Sequence, residues 1–273
     1  MRTRFEKQVR AGVANLLTLT VLCAGCQTAP VKPSLPVFRV MTYNVHHGEG
    51  IDHRVDLERI AQLIKRERAD IVALQEVDKG VERTGRRNLA AELGALTGMS
   101  FVFSNNYSFQ GGEYGNAILS RFPVKRSGNL HYKKVEESEQ RGLLEVTLDV
   151  HGRELLFLAT HLDHRPPDAA RWSNVGEIEE RMKSRRGATV ILSGDFNTQP
   201  SSRVYQRLNQ TFEDTWVLAG DGSGFTIPSE NPSRRIDYIW ISRDKSLSAL
   251  KAWVPNSQAS DHRPIVVELR LNR

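Results

Sequence analysis

Val190-Ile191-Leu192-Ser193-Gly194-Asp195-Phe196-Asn197 is an apolar run that stops at a glycine and delivers a carboxylate and a carboxamide two positions apart. A short stretch rich in Val, Ile and Leu reads as a buried strand, and Gly194 ends it where the backbone has to turn and approach something closely. Side chains two apart on an extended segment share a side, so Asp195 and Asn197 are expected to face one cleft. Taken alone, the stretch reads equally well as a strand end followed by an Asx-turn. Its weight comes from the other strand ends.

Outward from that stretch the pattern alternates strands and helices. Val37 to Tyr43, Ile71 to Leu74, Phe101 to Phe103, Ala117 to Leu119, Leu144 to Val150 and Glu154 to Thr160 read as strands, the last two forming a hairpin around His151-Gly152. Downstream, Arg235 to Ile241, Leu250 to Val254 and Ile265 to Leu271 read the same way. Between them, Val55 to Arg68 carries an apolar stripe of Leu57, Ile60, Ala61 and Ile64, and Asn88 to Leu96 is a second amphipathic helix. Asp168 to Arg186 is predicted to be the longest helix, with Trp172, Val175, Glu179 and Met182 on one face, and a short helix follows near Val204 to Leu208. Helices between strands call for a layered α/β architecture, and the hairpin shows that its sheets are not purely parallel. No repeat and no linker interrupts residues 37–273, so they are read as one domain.

The 273 residues are 39% hydrophobic and 26% charged, ordinary globular material. The formal charge is +6, but Arg2, Arg4, Lys7 and Arg10 against the single Glu6 account for half of it. What remains is too small an excess to argue a polyanionic partner. Cys23 and Cys26 are the only cysteines, which excludes disulfides, thiolate metal sites and thiol nucleophiles from everything downstream.

Six predicted strand ends repeat the pattern of the opening stretch: Thr42-Tyr43-Asn44, Leu74-Gln75-Glu76, Ala159-Thr160-His161, Gly194-Asp195-Phe196-Asn197, Asp237 within Arg235-Ile236-Asp237-Tyr238, and Ser260-Asp261-His262-Arg263. Each has an ordinary explanation by itself, as a cap, a solvated carboxylate or a satisfied histidine. Six together, in a layout whose ligands gather beyond strand ends, point to a site. In this order and spacing they resemble the endonuclease/exonuclease/phosphatase family, which includes deoxyribonuclease I, abasic-site endonucleases, inositol polyphosphate 5-phosphatases and bacterial sphingomyelinases. The resemblance runs from about Val37 to Leu271. It implies a four-layer α/β sandwich, two mixed sheets face to face flanked by helices, and a divalent-metal hydrolase of phosphate esters.

By the same resemblance Glu76 is the principal metal ligand, with Asn44 and Asp261 beside it. His262 is base or electrostatic partner of the attacking water, held in one tautomer by Asp237. Asp195 and Asn197 orient the nucleophile and bind phosphoryl oxygens, and His161 supports the phosphate or protonates the leaving group. His47, Asn116 and Arg141 resemble positions lining the cleft and are expected to bind substrate. Oxygen-rich ligands without cysteine favour Mg²⁺ or Mn²⁺ over zinc. Phosphate-ester hydrolysis is slow enough that such a site has to supply up to ~10²¹ in rate, mostly by stabilising charge.

Residues 1–25 combine a basic start, an apolar run from Ala11 to Leu22 too short to span ~30 Å of hydrocarbon, and Ala24-Gly25 before Cys26. They resemble a bacterial lipoprotein signal peptide, with Cys23 where leucine is usual; cleavage before Cys26 and its lipidation are implied. Gln27 after that cysteine leans toward an outer membrane. Residues 26–36, with Pro30, Pro33 and Pro36 three apart, read as a semi-rigid polyproline tether. The expected protein is a monomeric, membrane-tethered Mg²⁺ phosphodiesterase of the periplasm or cell exterior, acting on a lipid head group or other small phosphodiester. The chain resembles sphingomyelinase-like and glycosylphosphatidylinositol-remodelling relatives, and shows no long basic loop with interleaved aromatics to grip a duplex. Two rival readings are an extracytoplasmic nuclease and a non-catalytic lipoprotein using the fold to bind.

Overall fold

The computed structural model describes residues 35–135 and 137–272. The leader, Cys26 and all but the last two residues of the tether lie outside the described residues. In chain order the first half runs β1 (Val37–Asn44), α1 (Leu57–Glu67), β2 (Ile71–Lys79), α2 (Leu89–Thr97), β3 (Ser100–Phe109), β4 (Gly112–Ser120), β5 (Val124–His131), β6 (Gly142–Val150) and β7 (Arg153–His161). The second half runs α3 (Ala169–Lys183), β8 (Thr189–Asp195), α4 (Arg203–Thr211), β9 (Phe212–Asp214), α5 (Thr215–Ala219), β10 (Asp237–Ser242), β11 (Leu247–Trp253) and β12 (Ile265–Leu271). One six-stranded sheet has the order β11-β12-β1-β2-β4-β3 and the other β5-β6-β7-β8-β10-β9. Each has a single parallel pair at its centre, β1 with β2 and β7 with β8, so both are mixed.

Strand alternation builds the layers. On β1, Phe38 and Val40 enter a core shared with Val146, Phe157, Ile191 and Ile239 of the other sheet, while Met41 and Tyr43 turn the opposite way onto Ile60, Ile64 and Leu93 of α1 and α2. On β8, Ile191 faces the shared core and Val190 and Leu192 pack with Val175, Ile178 and Leu208 of α3 and α4. Central strands covered on both faces read as continuous apolar runs, which is why Val190 to Leu192 shows no alternation. Helix, sheet, sheet, helix is the four-layer sandwich expected. Asp56, Asn88 and Ser202 cap α1, α2 and α4 by accepting from backbone amides of the first turn.

Four sequence readings change. The strand predicted over Ile71 to Leu74 continues to Lys79, so Glu76 lies inside a strand rather than beyond its end. The short strands at Phe101 and Ala117 are the inner ends of a long ribbon, Ser100–Phe109 with Gly112–Ser120. Elements β5, β9 and α5 had no sequence signal; β5 is an edge strand exposed along most of its length. On α3 the buried residues are Arg171, Asn174, Val175 and Ile178; of the predicted face Val175 is buried and Met182 packs against the same core, but Trp172 is displaced by Arg171, whose guanidinium donates to the carbonyls of Asp163 and Arg165 in the preceding loop. Trp172 instead lies outward with Arg203 and Arg207 stacked over it at 4.8 and 4.4 Å. Among the described residues no helix is long and apolar enough to cross a membrane.

Candidate active site

Both sheets present chemistry at the same end. In the second sheet the pairing register sets His161 beside Asp195 and Asp195 beside Asp237, so three neighbouring strands place the three side chains in one row. Gly194 makes this row possible. Its φ is +154°, and a Cβ there would lie 2.0 Å from the Thr160 carbonyl oxygen on β7. Beyond the strand end Asn197 takes a left-handed φ of 47°, and its amide donates to Asp195 Oδ1 at 2.9 Å. The Asx-turn and the site are therefore one structure. Asn197 joins the cleft through that turn, not through strand alternation, and its carboxamide donates to the Leu162 carbonyl at 3.0 Å.

In the first sheet Glu76 is turned by a bulge. The β2–β4 register shifts between Leu74 and Val77, and Glu76 has a φ of 60°. That rotation brings its carboxylate to the Asn44 carboxamide, which donates to Glu76 Oε1 at 2.9 Å and across the two sheets to Asp195 Oδ2 at 3.1 Å.

Three buried titratable groups meet at Asp195. His161 Nε2 lies 3.5 Å and His262 Nε2 3.7 Å from Asp195 Oδ2, and His262 Nδ1 is 2.9 Å from Asp237 Oδ2. Burial and then the Asp237 carboxylate push Asp195 up to about 7. Burial opposes a charge on His262, but the charge and hydrogen bond of Asp237, then Asp195 and Asp261, outweigh it and raise the imidazole to about 10. His161 moves the other way: burial, then Arg141 and His262, hold it well below its ordinary value. Arg141 Nη1 lies 2.9 Å from His161 Nδ1 and Asn197 Nδ2 lies 3.1 Å from His161 Nε2, so a donor group stands against each ring nitrogen. The site thus holds one imidazolium and one neutral imidazole.

These shifts predict a pH dependence of stability in chelator-treated protein. Both groups have folded pKa values above their unfolded ones, so each contributes stability at low pH that is lost as pH rises, through about 7 for Asp195 and about 10 for His262. His161, held well below its ordinary value, acts in the opposite sense up to about pH 6.5 and offsets Asp195 there. Thermal melts in EDTA should fall by on the order of 5 °C between about pH 7 and pH 9, through His262. His262→Gln should flatten that slope. A melting temperature that climbs with pH over this interval contradicts the assignment.

The cleft, of about 330 Å³, is walled by Tyr107, Phe109 and Tyr114 and by Arg83, Glu139 and Arg141 as well as the groups above. Arg83 grips buried Asp78 through two hydrogen bonds of 2.8 and 2.9 Å and lies over Phe109 at 4.8 Å. Tyr107 donates to Glu139, which accepts Arg141 Nη2 at 2.5 Å. Sequence reading missed Arg83 and the aromatic wall. Phe103, Tyr107 and Phe109 on odd positions of Ser100–Phe109 were the available signal.

Of the predicted site residues, the structure gathers Asn44, Glu76, Arg141, His161, Asp195, Asn197, Asp237 and His262. The other three take roles other than those expected. Asn116 does not line the cleft; its buried carboxamide braces the Gly142 carbonyl at 3.4 Å, because its strand turns it between the sheets. His47 is 7% exposed and bonded to Glu49, folded under the loop rather than open to substrate. Asp261 accepts from its neighbour Ser260, and its charge helps to raise His262. Asn44 turns its nitrogen, not its oxygen, toward Glu76 and Asp195, while its oxygen accepts from the His46 amide, so in this arrangement it bridges the carboxylates instead of offering a ligand atom.

The sequence profile of the Endonuclease/Exonuclease/phosphatase family matches residues 41–262. Over 251 residues the chain is 26% identical to the uncharacterized protein YbhP of Escherichia coli (strain K12), covering 86% of this chain and 96% of that protein. It is 27% identical over 188 residues to 5'-tyrosyl-DNA phosphodiesterase of Caenorhabditis elegans, covering 66% of this chain and 48% of that one. The crystal structure of an endonuclease/exonuclease/phosphatase from Beutenbergia cavernae DSM 12333 superposes with a TM-score of 0.73 at 24% identity, over 86% of this chain and 72% of the other. The profile spans the first strand to the last histidine of the site, and the two-sheet sandwich agrees with the fold of the solved structure: this chain belongs to the endonuclease/exonuclease/phosphatase family of phosphoester hydrolases.

Proposed function

We propose that the protein is a divalent-cation-dependent phosphodiesterase acting on a small phosphodiester or lipid head group. The observation that carries this reading is the buried row His161–Asp195–Asp237 completed by His262, which sets a carboxyl with a raised pKa between an imidazolium and a neutral imidazole. The donor set also suits a hard cation: Glu76 stands in the cleft, Asp195 and Asp237 are buried side by side, and Asp237 Oδ1 has no partner among the described residues. Glu76 would hold the cation. When bound, Mg²⁺ or Mn²⁺ supplies positive charge to the phosphoryl and leaving oxygens.

The chain's own groups divide the rest of the work. Asp195, with a pKa near the operating pH, is suited to accept the proton of the attacking water, and the turn fixes it through the Asn197 amide. His262, already protonated, cannot serve as a base; it stabilises the negative charge that grows on the phosphoryl group, oriented by Asp237. His161, neutral and with Arg141 against Nδ1 and Asn197 against Nε2, positions those two side chains at the phosphoryl group rather than protonating the leaving group. A cleft of about 330 Å³ suits a head group better than a duplex. One observation favours a second reading, in which Tyr107 and Phe109 stack a base of a single-stranded nucleic acid.

Purified protein with Mg²⁺ or Mn²⁺ should cleave bis(4-nitrophenyl) phosphate faster than 4-nitrophenyl phosphate and release head groups from sphingomyelin or phosphatidylcholine vesicles, leaving plasmid and single-stranded DNA intact. DNA cleavage with no lipid turnover would replace the first reading by the second. Membrane tethering through Cys26 completes the proposal and has its own prediction: the expressed protein should enter the detergent phase of a two-phase partition, and Cys26→Ser should move nearly all of it to the aqueous phase. Unchanged partitioning of that variant excludes the anchor.

A further inference from the structure

We propose that His46 and His47 make the cation site at Glu76 a mixed nitrogen–oxygen site that takes a transition-metal dication of the Mn²⁺ to Zn²⁺ series in preference to Mg²⁺. This rests on the reading above that Glu76 holds the cation. His46, His47 and Glu76 each offer a ligand atom, and all three atoms lie within 4.8 Å of one another.

The state of His47 is the independent observation. The residue is 7% exposed, and its Nε2 lies 3.3 Å from Glu49 Oε2. A carboxylate can only accept, so the ring proton sits on Nε2 and Nδ1 is left with its lone pair. That Nδ1 is buried and has no partner among the described residues. An imidazole that donates one nitrogen to a carboxylate and keeps the other lone pair free is in the form a metal ligand takes, with the carboxylate fixing the tautomer and raising the basicity of the free nitrogen. Glu49 is held in turn by His53 Nδ1 at 3.1 Å.

The loop that carries the two rings is fixed as well. His46, His47 and Gly48 all have positive φ, and the turn is closed by Gly48 N to Val45 O and Asp56 N to Gly48 O, at 2.8 and 2.9 Å. It lies against β2, where Val45 N donates to Gln75 O, next to the bulge at Glu76. Two imidazoles and one carboxylate on one side of a cation leave its other positions to water and substrate oxygens. Mg²⁺ dehydrates reluctantly and prefers oxygen, whereas Mn²⁺, Co²⁺ and Zn²⁺ accept imidazole. Ligands of one ion at ~2.1 Å stand no more than ~4.2 Å apart, a spacing that lies inside the 4.8 Å limit within which all three atoms fall.

The test is a set of binding titrations on chelator-treated full chain, with Mg²⁺ and Mn²⁺ by calorimetry, Zn²⁺ by competition with a chromophoric chelator, and Co²⁺ by its visible absorption. Wild type should bind one Zn²⁺ and one Co²⁺, the latter with a ligand-field band that reports imidazole. His46→Gln and His47→Gln should each weaken Zn²⁺ by about 10- to 100-fold while changing Mg²⁺ less than about 3-fold. His46 is only half-buried, so its variant should fold even if the other does not, as melting curves will show. A zinc-to-magnesium ratio and a cobalt spectrum that are unaltered in folded His46→Gln overturn the proposal. Hydrolysis assays in Mg²⁺ alone separate the two claims. Turnover with an unaltered ratio sinks this inference and leaves the hydrolase, whereas a collapsed ratio with no phosphoester turnover keeps the metal site and sinks the hydrolase.

Discussion

His262→Ala should lower kcat by on the order of 10²- to 10³-fold with little change in KM, because the imidazolium acts on charge that develops only in the transition state. Asp237→Asn should cost most of the same factor. Asp237 Oδ2 accepts from His262 Nδ1 at 2.9 Å and from Thr226 Oγ1 at 2.5 Å, and it supplies the charge that overcomes burial and keeps the ring protonated. The amide removes that charge and can present its own N–H to the ring, so the double variant should be hardly slower than His262→Ala alone. The pH profile gives the sign. Activity requires the protonated ring, so the alkaline limb reports its loss, and removing the carboxylate lowers the imidazole pKa and moves that limb to lower pH. Asp195, Asp237 and His262 also form a cluster with ligand atoms within 4.8 Å. If they hold a cation instead, losses should multiply in the double variant and excess Mn²⁺ should restore part of the rate; kcat for the three variants across metal concentration decides between the two.

Glu76→Ala should be the second large loss, at least about 100-fold in kcat/KM at ordinary Mg²⁺, with the fold intact. Its carboxylate is half-buried and accepts one of the two N–H groups of the buried Asn44 amide, the other keeping Asp195 as acceptor, so the change orphans one donor at a cost of about 1–3 kcal/mol. Thermal stability in EDTA should fall by no more than about 10 °C, leaving a cooperative melt. Calorimetric Mg²⁺ binding should weaken in parallel with activity, and full turnover at saturating Mg²⁺ would remove Glu76 from the metal site.

The elements that could be read from sequence are those whose local chemistry is complete in the chain. Ile265–Leu271 and the hairpin around His151-Gly152 follow from strand alternation and a turn dipeptide, and α1 from its stripe and the Asp56 cap. The strand ends could be read because Asn44, His161 and Asp195 stand where apolar runs stop and Asp237 where one begins. What escaped depends on contacts between distant parts. Nothing near Glu76 in the chain announces the bulge, which exists because β2 and β4 slip past one another. Arg83 owes its place to Asp78 and Phe109, and the polar run Ser104-Asn105-Asn106 hides a strand that its partner β4 defines. His47 looked like an open loop residue, yet the left-handed turn tucks it under cover.

The chain lays down β1 to β4 in one sheet, spends β5 to β10 in the other, and returns for β11 and β12. The Asn44–Asp195 hydrogen bond consequently joins residues 151 apart, and Ser260 Oγ reaches the Asn44 carbonyl across 216. No contiguous fragment short of nearly the whole domain contains the reactive groups, and closing loops of that length is the slow part of folding. Recovery of turnover after dilution from denaturant should therefore trail the return of helical circular dichroism, making enzymatic activity a clock for the last event of assembly rather than the first.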